Sequence, residues 1–385
     1  MRYVRLGTLP PKRHLQFRQP DGTLYAEQVF GTRGFSGPSS ILYHIHLPTQ
    51  VAAFERLTDI RPRTLPEEPL RHRHLKTQTL PARGNAVSGR VPLFFNEDVS
   101  LFYAHTAETM PFLFKNADGD ELLYVHQGSG RLESMFGTLP YQAGDYLIIP
   151  RGTIYRLVED TTGMRLFVVE ARSAIEVPRR YRNEYGQLLE HAPYCERDIR
   201  VPEILETHDE PGRYEVRILA RGVLNAYYYD FHPFDVVGWD GYVYPWVFSI
   251  HNFQPITGLV HQPPPAHQTF EGRNFVVCSF VPRKLDYHPQ AVPIPYNHSN
   301  VESDEMIFYA NDQFGSRRGI EEGSITLHPS GLPHGPQPGA VEASLGKTET
   351  AELAVMVDTF RPLHVTPQAL DIEDQRYSLS WQPAT

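Results

Sequence analysis

Two strings stand out between His298 and His334: H-S-N-V-E-S-D-E at 298–305 and G-S-I-T-L-H-P-S-G-L-P-H at 323–334. The second string has β-branched and apolar residues between its first glycine and its first proline, which predicts a strand that enters a tight turn and ends on a histidine. The apolar and aromatic residues after Glu305 predict another strand. Two histidines and one carboxylate at strand ends are the side chains that a 2-His-1-carboxylate site for non-haem Fe(II) requires. We therefore predict that His298, Glu305 and His334 are metal ligands.

The spacing of the second string occurs twice in the chain, which indicates an internal repeat. Residues 144–155 read G-D-Y-L-I-I-P-R-G-T-I-Y, with Tyr155 in the place of the final histidine. Upstream, Glu121 belongs to an Asp-Glu pair that precedes an apolar run, as Glu305 does. The residue seven positions before Glu121 is Phe114, so the trio transferred to the first copy contains no imidazole. We predict that the first copy is structural and that the second carries the chemistry.

The G-x5-P-x-G-x2-H string, preceded by a histidine and a glutamate, resembles the motifs of the cupins. More narrowly, the chain resembles the homogentisate 1,2-dioxygenase family in the order and spacing of four strings: P-F-D-V-V-G-W-D-G at 233–241, Y-P at 244–245, H-S-N at 298–300 and P-H-G-P at 333–336. The resemblance is close over roughly residues 225–340 and looser elsewhere. It implies a mainly β fold with two cupin domains, each a jelly-roll β-sandwich, and an N-terminal extension that contains strands.

The family resemblance also implies a function. The expected activity is that of an Fe(II)-dependent ring-cleaving dioxygenase, which converts homogentisate and O2 to maleylacetoacetate in tyrosine and phenylalanine catabolism. His261 is implied to be the acid and base of the reaction, and His267, at the other end of the H-Q-P-P-P-A-H loop, is the alternative. Tyr296, His328 and His334 are implied to contact the small aromatic substrate. The resemblance further implies a homo-oligomer, either a trimer or a hexamer.

Two departures from the family pattern leave alternatives open. The interval from His298 to Glu305 is one residue longer than the family leads us to expect, which makes Asp304 a rival carboxylate ligand. Phe314 stands where a tyrosine for the substrate carboxylate is expected. The substrate is therefore open between homogentisate and another hydroquinone or gentisate-like aromatic acid. A sugar or keto-acid isomerase of the cupin class and a non-catalytic bicupin binding protein are further alternatives.

Length and local composition predict how the 385 residues are divided. His44 and His46 alternate onto one face of a predicted strand, but they lack a carboxylate in a recognisable motif and are not predicted as ligands. The predicted segments are an N-terminal extension packing on the sheets (1–95), a degenerate metal-free cupin motif (96–170), a charge-rich connection (171–215) and a C-terminal catalytic cupin (216–385).

Charge and cysteine content argue against several other classes of protein. A net charge of −9 and a pI near 6.1 argue against a nucleic-acid partner, which would favour a basic surface. The two cysteines are too few for a disulfide scaffold and fit a reducing cytoplasm. The N-terminus has no apolar leader, and no run of 18 apolar residues predicts a membrane span. We therefore expect a cytoplasmic protein with no membrane contact.

Overall fold

The chain folds almost entirely into short β-strands, and the predicted mainly β cupin fold is confirmed. The structure, a computed structural model, describes residues 2–65, 69–317 and 319–382. Within these residues the strands are β1 (Val4–Gly7), β2 (Ala26–Gly31), β3 (Ser39–His44), β4 (Ala53–Asp59), β5 (Arg73–Lys76), β6 (Val91–Phe95), β7 (Val99–His105), β8 (Leu113–Asn116), β9 (Asp120–Gln127), β10 (Ser129–Ser134), β11 (Gly137–Gln142), β12 (Asp145–Ile149), β13 (Ile154–Glu159), β14 (Arg165–Ala171), β15 (Ile199–Arg200), β16 (Pro211–Ala220), β17 (Val223–Phe231), β18 (Val236–Gly241), β19 (Trp246–Ser249), β20 (Gln268–Gly272), β21 (Phe275–Phe280), β22 (Arg283–Lys284), β23 (Asp304–Tyr309), β24 (Ser324–His328), β25 (Glu349–Thr350), β26 (Ala354–Thr359) and β27 (His364–Val365).

Helices are few and short in the described part of the chain. The α-helices are α1 (Ala340–Ser344) and α2 (Pro367–Leu370). Single 3₁₀ turns lie at Thr77–Thr79, Arg179–Tyr181, Glu196–Asp198, Ile250–Asn252, Pro264–His267 and Tyr377–Leu379. None of the helices among the described residues has both the length and the apolar character that a membrane crossing requires.

The strands form four larger sheets and a two-stranded ribbon of β22 and β25. The first copy of the repeat lies in an eight-stranded sheet, ordered β15-β19-β12-β9-β14-β7-β6-β27, and a seven-stranded sheet, ordered β11-β10-β13-β8-β16-β17-β4. The second copy lies in a six-stranded sheet, ordered β20-β21-β26-β23-β24-β5. A four-stranded sheet, ordered β1-β18-β3-β2, is formed mainly by the N-terminal residues.

The eight-stranded sheet is buried on both faces. Along β9, Leu123 packs with side chains of the seven-stranded sheet, whereas Leu122 and Tyr124 pack with the six-stranded sheet. The Tyr124 ring, for example, lies 5.9 Å from the ring of Phe308 in β23. Because both faces are covered, these strands are apolar at nearly every position, as the sequence shows. Glu305 lies on the face of the six-stranded sheet that points away from the eight-stranded sheet. On that face of β23 it is next to residues of a separate apolar cluster.

Strand pairing does not follow the predicted segment boundaries. The strands β16, β17 and β19 join the sheets of the first copy, although the C-terminal cupin was expected to begin at residue 216. In the opposite direction, β5 of the predicted extension pairs with β24 of the second copy. The extension over 1–95 thus supplies strands to all four larger sheets. The physical reason is that exposed sheet edges need partners, and distant parts of the chain supply them.

Candidate metal centre

Two glycines of the repeated string shape the turn that carries the last histidine. Gly323 (φ +83°) precedes β24, and Gly331 (φ +80°) follows it, both in the left-handed region that glycine adopts without strain. The backbone then returns to the loop before β23. There His298 and His334 exchange two backbone hydrogen bonds of 2.8 Å, so local turn geometry fixes the two imidazoles side by side.

The three predicted ligands come together in the structure. His298, Glu305 and His334 each offer one ligand atom, and these atoms lie within 4.8 Å of one another. The Nε2 atoms of His298 and His334 are each 3.5 Å from a Glu305 carboxylate oxygen. The His334 side chain is fully buried and that of Glu305 is 5% exposed, whereas that of His298 is 31% exposed. The cluster is therefore open to solvent on the side of His298.

The donor set fits a divalent metal ion. Nδ1 of His334 lies 3.2 Å from the Leu332 carbonyl oxygen, so it carries the proton and Nε2 is left with a lone pair. This buried Nε2 has no hydrogen-bond partner among the described residues. A buried nitrogen without a partner costs free energy, and a bound cation would remove that cost. Two imidazoles and one carboxylate also leave coordination positions open for a substrate.

Glu305 is held in place by hydrogen bonds that also keep it ionised. Burial raises the pKa of Glu305, but the neighbouring imidazoles of His298, His328 and His334 outweigh it and hold the pKa well below its usual range. The shortest of these contacts joins Nδ1 of His328 to a Glu305 oxygen at 2.8 Å. The other ring nitrogen of His328 is 3.1 Å from the hydroxyl of Tyr377. A chain of hydrogen bonds therefore runs from Tyr377 to the carboxylate.

The position of His328 differs from the prediction. It was expected to line the substrate pocket, but its side chain is fully buried behind Glu305 and both ring nitrogens have partners. Burial lowers the pKa of His328 to about 3, so its ring is neutral and donates one hydrogen bond to Glu305. His328 is therefore in a position to orient the carboxylate rather than to touch a substrate.

The rival carboxylate, Asp304, points away from the trio. Its two oxygens accept backbone hydrogen bonds from Ser330 (2.8 Å) and Leu363 (2.7 Å). Consecutive residues of a strand face opposite sides of the sheet, so Asp304 and Glu305 cannot both face the histidines. Of the two carboxylates that the sequence offered as ligands, only Glu305 faces the two histidines in the structure.

Tyr296 and His261 lie on the open side of the cluster. The Tyr296 ring is 5.8 Å from the ring of His298, and the His261 ring is 5.3 Å from that of Tyr296. Burial lowers the pKa of His261, so its imidazole is neutral near pH 7. His267 is instead packed 4.5 Å from the ring of Phe280, and burial lowers its pKa to about 3. Among the described residues, His267 has no ring contact with the trio.

Other residues weighed in the sequence have structural surroundings. Phe314 packs 4.9 Å from the ring of Tyr309 and 5.7 Å from that of Phe280, in the apolar cluster of the six-stranded sheet. His44 is buried between Asp235, at 2.7 Å, and Gln28, at 2.8 Å. His46 stacks on Phe231, far along the chain from the trio.

Several residues that pack around His334 were not predicted from the sequence. Trp381 donates a hydrogen bond of 3.1 Å to the Gly335 carbonyl oxygen, next to His334. The His72 ring lies 5.1 Å from that of Trp381 and 5.9 Å from that of His334. The Tyr377 ring packs 5.3 Å from that of Trp381 in the same group. These residues come from opposite ends of the chain and fall in no motif, so no local pattern could have identified them.

Residues 6–250 match the family model described as "Homogentisate 1,2-dioxygenase N-terminal", which is more than half of the chain. The chain belongs to the homogentisate 1,2-dioxygenase family. It is thus an enzyme of the homogentisate dioxygenase kind, and membership of that family implies a metal cofactor. The matched residues end before the trio, so the geometry of the centre is an independent observation.

Individual relatives support the same family. A protein of Saccharolobus solfataricus named "Putative dioxygenase" is 46% identical over 385 residues, 98% of each chain. Homogentisate 1,2-dioxygenases from Rhodopseudomonas palustris and Homo sapiens are 28% and 26% identical over 69% and 70% of this chain. Those alignments span only 61% and 64% of these two relatives' own lengths. A cupin 2 barrel protein from Leptotrichia buccalis aligns over 79% of this chain and 100% of its own, at 10% identity and a TM-score of 0.33, which is too weak to argue from.

Proposed function

We propose that the protein is an Fe(II)-dependent ring-cleaving dioxygenase that converts homogentisate and O2 to maleylacetoacetate, as a step of tyrosine and phenylalanine catabolism. One observation carries the proposal: His298, Glu305 and His334 place their ligand atoms within 4.8 Å of one another in a family of dioxygenases. Fe(II) is the metal that a 2-His-1-carboxylate set with open positions favours in oxygen chemistry. Cytoplasmic location and assembly into a trimer or hexamer stay predictions.

The metal and the protein would make different contributions to the reaction. When bound by the trio, Fe(II) would supply the Lewis acid that lowers the pKa of a phenolic hydroxyl and the redox centre for O2. The protein supplies the shape of the site around it. His328 and Tyr377 hold Glu305 in one orientation, and the burial of Glu305 and His334 keeps water away from two of the three ligands.

His261 is the best candidate for the acid and base. A phenolic substrate that enters on the side of His298 meets Tyr296 and His261 first, because these rings lie on the open side. A neutral imidazole accepts a phenolic proton and returns it later in the reaction. We prefer His261 to His267, since His267 is buried against Phe280.

A second candidate substrate follows from Phe314. Its ring has no hydroxyl, and it packs in an apolar cluster, so it offers no hydrogen bond to a substrate carboxylate. A different hydroquinone or a gentisate-like aromatic acid would not depend on that contact. These compounds form the alternative within the same reaction class.

Oxygen uptake tests the proposal directly. Protein reconstituted with Fe(II) without air is offered homogentisate, gentisate and plain hydroquinone in parallel, and the Glu305→Ala variant is run beside it. Glu302→Ala is the matched control, because Glu302 is an exposed carboxylate in the same loop. We expect uptake with homogentisate in the wild type and the control only. Oxygen uptake with gentisate or hydroquinone but not with homogentisate would identify a different substrate for the same reaction class. No oxygen uptake by iron-loaded protein would favour a non-catalytic bicupin or an isomerase.

A further inference from the structure

A second carboxylate, that of Asp358, lies beside Glu305 in the six-stranded sheet. Asp358 and Glu305 are direct partners in the antiparallel pair of β26 and β23, and on its other side Asp358 pairs with Val276 of β21. The partner of Glu305 in β24 is His328. Directly opposite residues of antiparallel strands point to the same face, with Cβ atoms roughly 4.5–5.5 Å apart. The four side chains therefore form one row across the face that carries the metal centre.

This row has a closed end and an open end. His328 and Glu305 are buried, and Tyr377 covers the far side of His328. Asp358 and Val276 are only half-buried, although every other residue of β26 is buried. Asp358 therefore borders open space next to Glu305, on the side away from Tyr377.

The carboxyl group of Asp358 has no hydrogen bond or ion pair within residues 2–65, 69–317 and 319–382. Its Oδ1 atom is nevertheless buried. Burial and the neighbouring Glu305 raise the pKa of Asp358 well above its usual range. A buried oxygen without a donor costs free energy, and a ligand that brings a donor would remove that cost.

The first copy of the repeat has a carboxylate at the same position, but there the protein supplies its partners. Glu170 of β14 is the direct partner of Glu121, as Asp358 is of Glu305. The side-chain amide of Asn116 donates a hydrogen bond of 3.0 Å to Glu170, and the guanidinium of Arg172 lies 3.7 Å away. The same position in the second copy lacks such donors among the described residues, which points to a partner that is not part of the chain.

We propose that Asp358 binds a ring hydroxyl of the substrate, the one that does not ligate the metal ion, and so selects aromatic rings with two hydroxyls in para positions. The inference rests on the proposed function and names a residue that recognises its substrate class. A hydroxyl both donates and accepts, so it pairs with the carboxyl group in either protonation state. An anionic group at this place would instead be repelled by Glu305.

Ligand pairs that differ only in this hydroxyl test the inference. Homogentisate is compared with 2-hydroxyphenylacetate, and gentisate with salicylate, by isothermal titration calorimetry of the iron-loaded protein without air. Asp358→Ala removes the carboxyl group, Asp358→Asn keeps hydrogen-bonding atoms, and Asp312→Ala, at an exposed aspartate, is the matched control. Iron content and melting temperature are measured for each protein. If Asp358→Ala does not fold, Asp358→Val, whose side chain suits a strand, replaces it.

We expect the dihydroxylated member of at least one pair to bind roughly tenfold more tightly than its partner, both in the wild type and in Asp312→Ala. In Asp358→Ala this preference should disappear, because only the dihydroxylated ligand loses affinity, and Asp358→Asn should keep part of it.

Equal binding of both members of each pair by the wild type would overturn the inference, as would a preference kept by folded, iron-loaded Asp358→Ala. An equal loss of both ligands in that variant would show a structural role and overturn it too. These results leave the proposed function standing if the wild type consumes O2 with a hydroquinone. If the wild type neither binds nor oxidises any of these rings, the inference fails together with the proposed function.

Discussion

The two copies of the repeat place different chemistry on the same backbone. In the first copy, Phe114 and Tyr155 face each other as an antiparallel pair. In the second copy, His298 and His334 form the equivalent pair. Each copy has a buried glutamate on the following strand and glycines with positive φ at the same places in the turn. The backbone therefore holds three side chains together in both copies, and residue identity decides what they bind.

In the first copy an arginine occupies the space between the three side chains. The Arg90 guanidinium is 2.5 Å from one oxygen of Glu121 and 3.3 Å from the hydroxyl of Tyr155, which itself donates to the other Glu121 oxygen at 2.7 Å. The guanidinium carbon also lies 5.7 Å from the centre of the Phe114 ring. The fixed cation of Arg90 thus neutralises Glu121 as a metal would.

Among the described residues, no arginine pairs with the glutamate of the second copy, and the guanidinium of Arg317 donates to the Gly335 carbonyl oxygen instead. Among the described residues, Glu305 forms ion pairs only with histidines, and His328 is neutral because burial lowers its pKa to about 3. A buried carboxylate without a fixed cation favours the binding of a mobile one. One architecture is thus completed by its own arginine in the first copy and presents a cluster of possible metal ligands in the second.

Removing a ligand from the second copy should have the largest effect. We expect His334→Ala to lower iron-dependent O2 uptake to background, because the remaining two ligands leave the ion weakly held. Uptake is measured with an oxygen electrode after reconstitution with Fe(II) without air. His191→Ala, at an exposed histidine, serves as the control. Full uptake by His334→Ala would show that the trio does not carry the reaction.

Removing the cation from the first copy should cost stability instead of activity. Arg90→Met leaves Glu121 buried without a cation, which we expect to lower the free energy of unfolding by about 3–5 kcal/mol. The double variant Arg90→Met/Glu121→Leu removes both charges and should recover most of that loss. Urea denaturation measures both. If the single variant is as stable as the wild type, Arg90 does not substitute for a metal.

Loosening the support of Glu305 should weaken metal binding without abolishing it. Tyr377→Phe removes the hydrogen bond to His328, and we expect the affinity for iron to fall roughly tenfold. A competition titration with a chelator measures it. Tyr309→Phe is the control, since it also loses one buried hydrogen bond, to Thr326, at 2.9 Å. Equal losses in both variants would mean that His328 and Tyr377 have no special role.

The imidazole of His261 on the open side of the second copy predicts a pH profile. Burial lowers the pKa of His261 in the folded protein, so its neutral form persists below the ordinary value of about 6.5. If the neutral form is the base, kcat/KM should fall only at a pH below about 6.5. His261→Gln should lose most of the rate together with this acid limb. An acid limb above pH 6.5, or one kept by His261→Gln, would exclude His261 as the base.

Placing imidazoles in the first copy should add no metal ion. In the variant Phe114→His/Tyr155→His the first copy gains the residue types of the second, but Arg90 still occupies Glu121. We expect no additional iron per chain by elemental analysis. A second iron in this variant would show that the arginine does not exclude a metal.

The proximity of the three residues of the trio could be predicted because its determinants are local. The intervals between Gly323, Gly331 and His334 encode one turn, and the same intervals before Tyr155 reveal the first copy. The choice between Asp304 and Glu305 was left open by the sequence alone. In the structure, strand alternation turns Asp304 away from the histidines, where it accepts two backbone hydrogen bonds.

The remaining features depend on tertiary packing. Arg90 lies outside both repeated strings, and Tyr377 reaches His328 from 49 residues further along the chain. Strand pairing departs from the predicted segments for the same reason, because β5 of the predicted extension pairs with β24 of the second copy and β19 pairs with β12 of the first. No interval in the sequence encodes such contacts.

The most direct test of the account is the iron content per chain of protein reconstituted with Fe(II) without air and freed of unbound metal. Wild type, Glu305→Ala and the double variant Arg90→Met/Glu121→Leu are compared after circular dichroism shows that each is folded. We expect one iron per chain in the wild type and in the double variant, and none in Glu305→Ala. Iron retained in full by Glu305→Ala, or lost from the folded double variant, would contradict it.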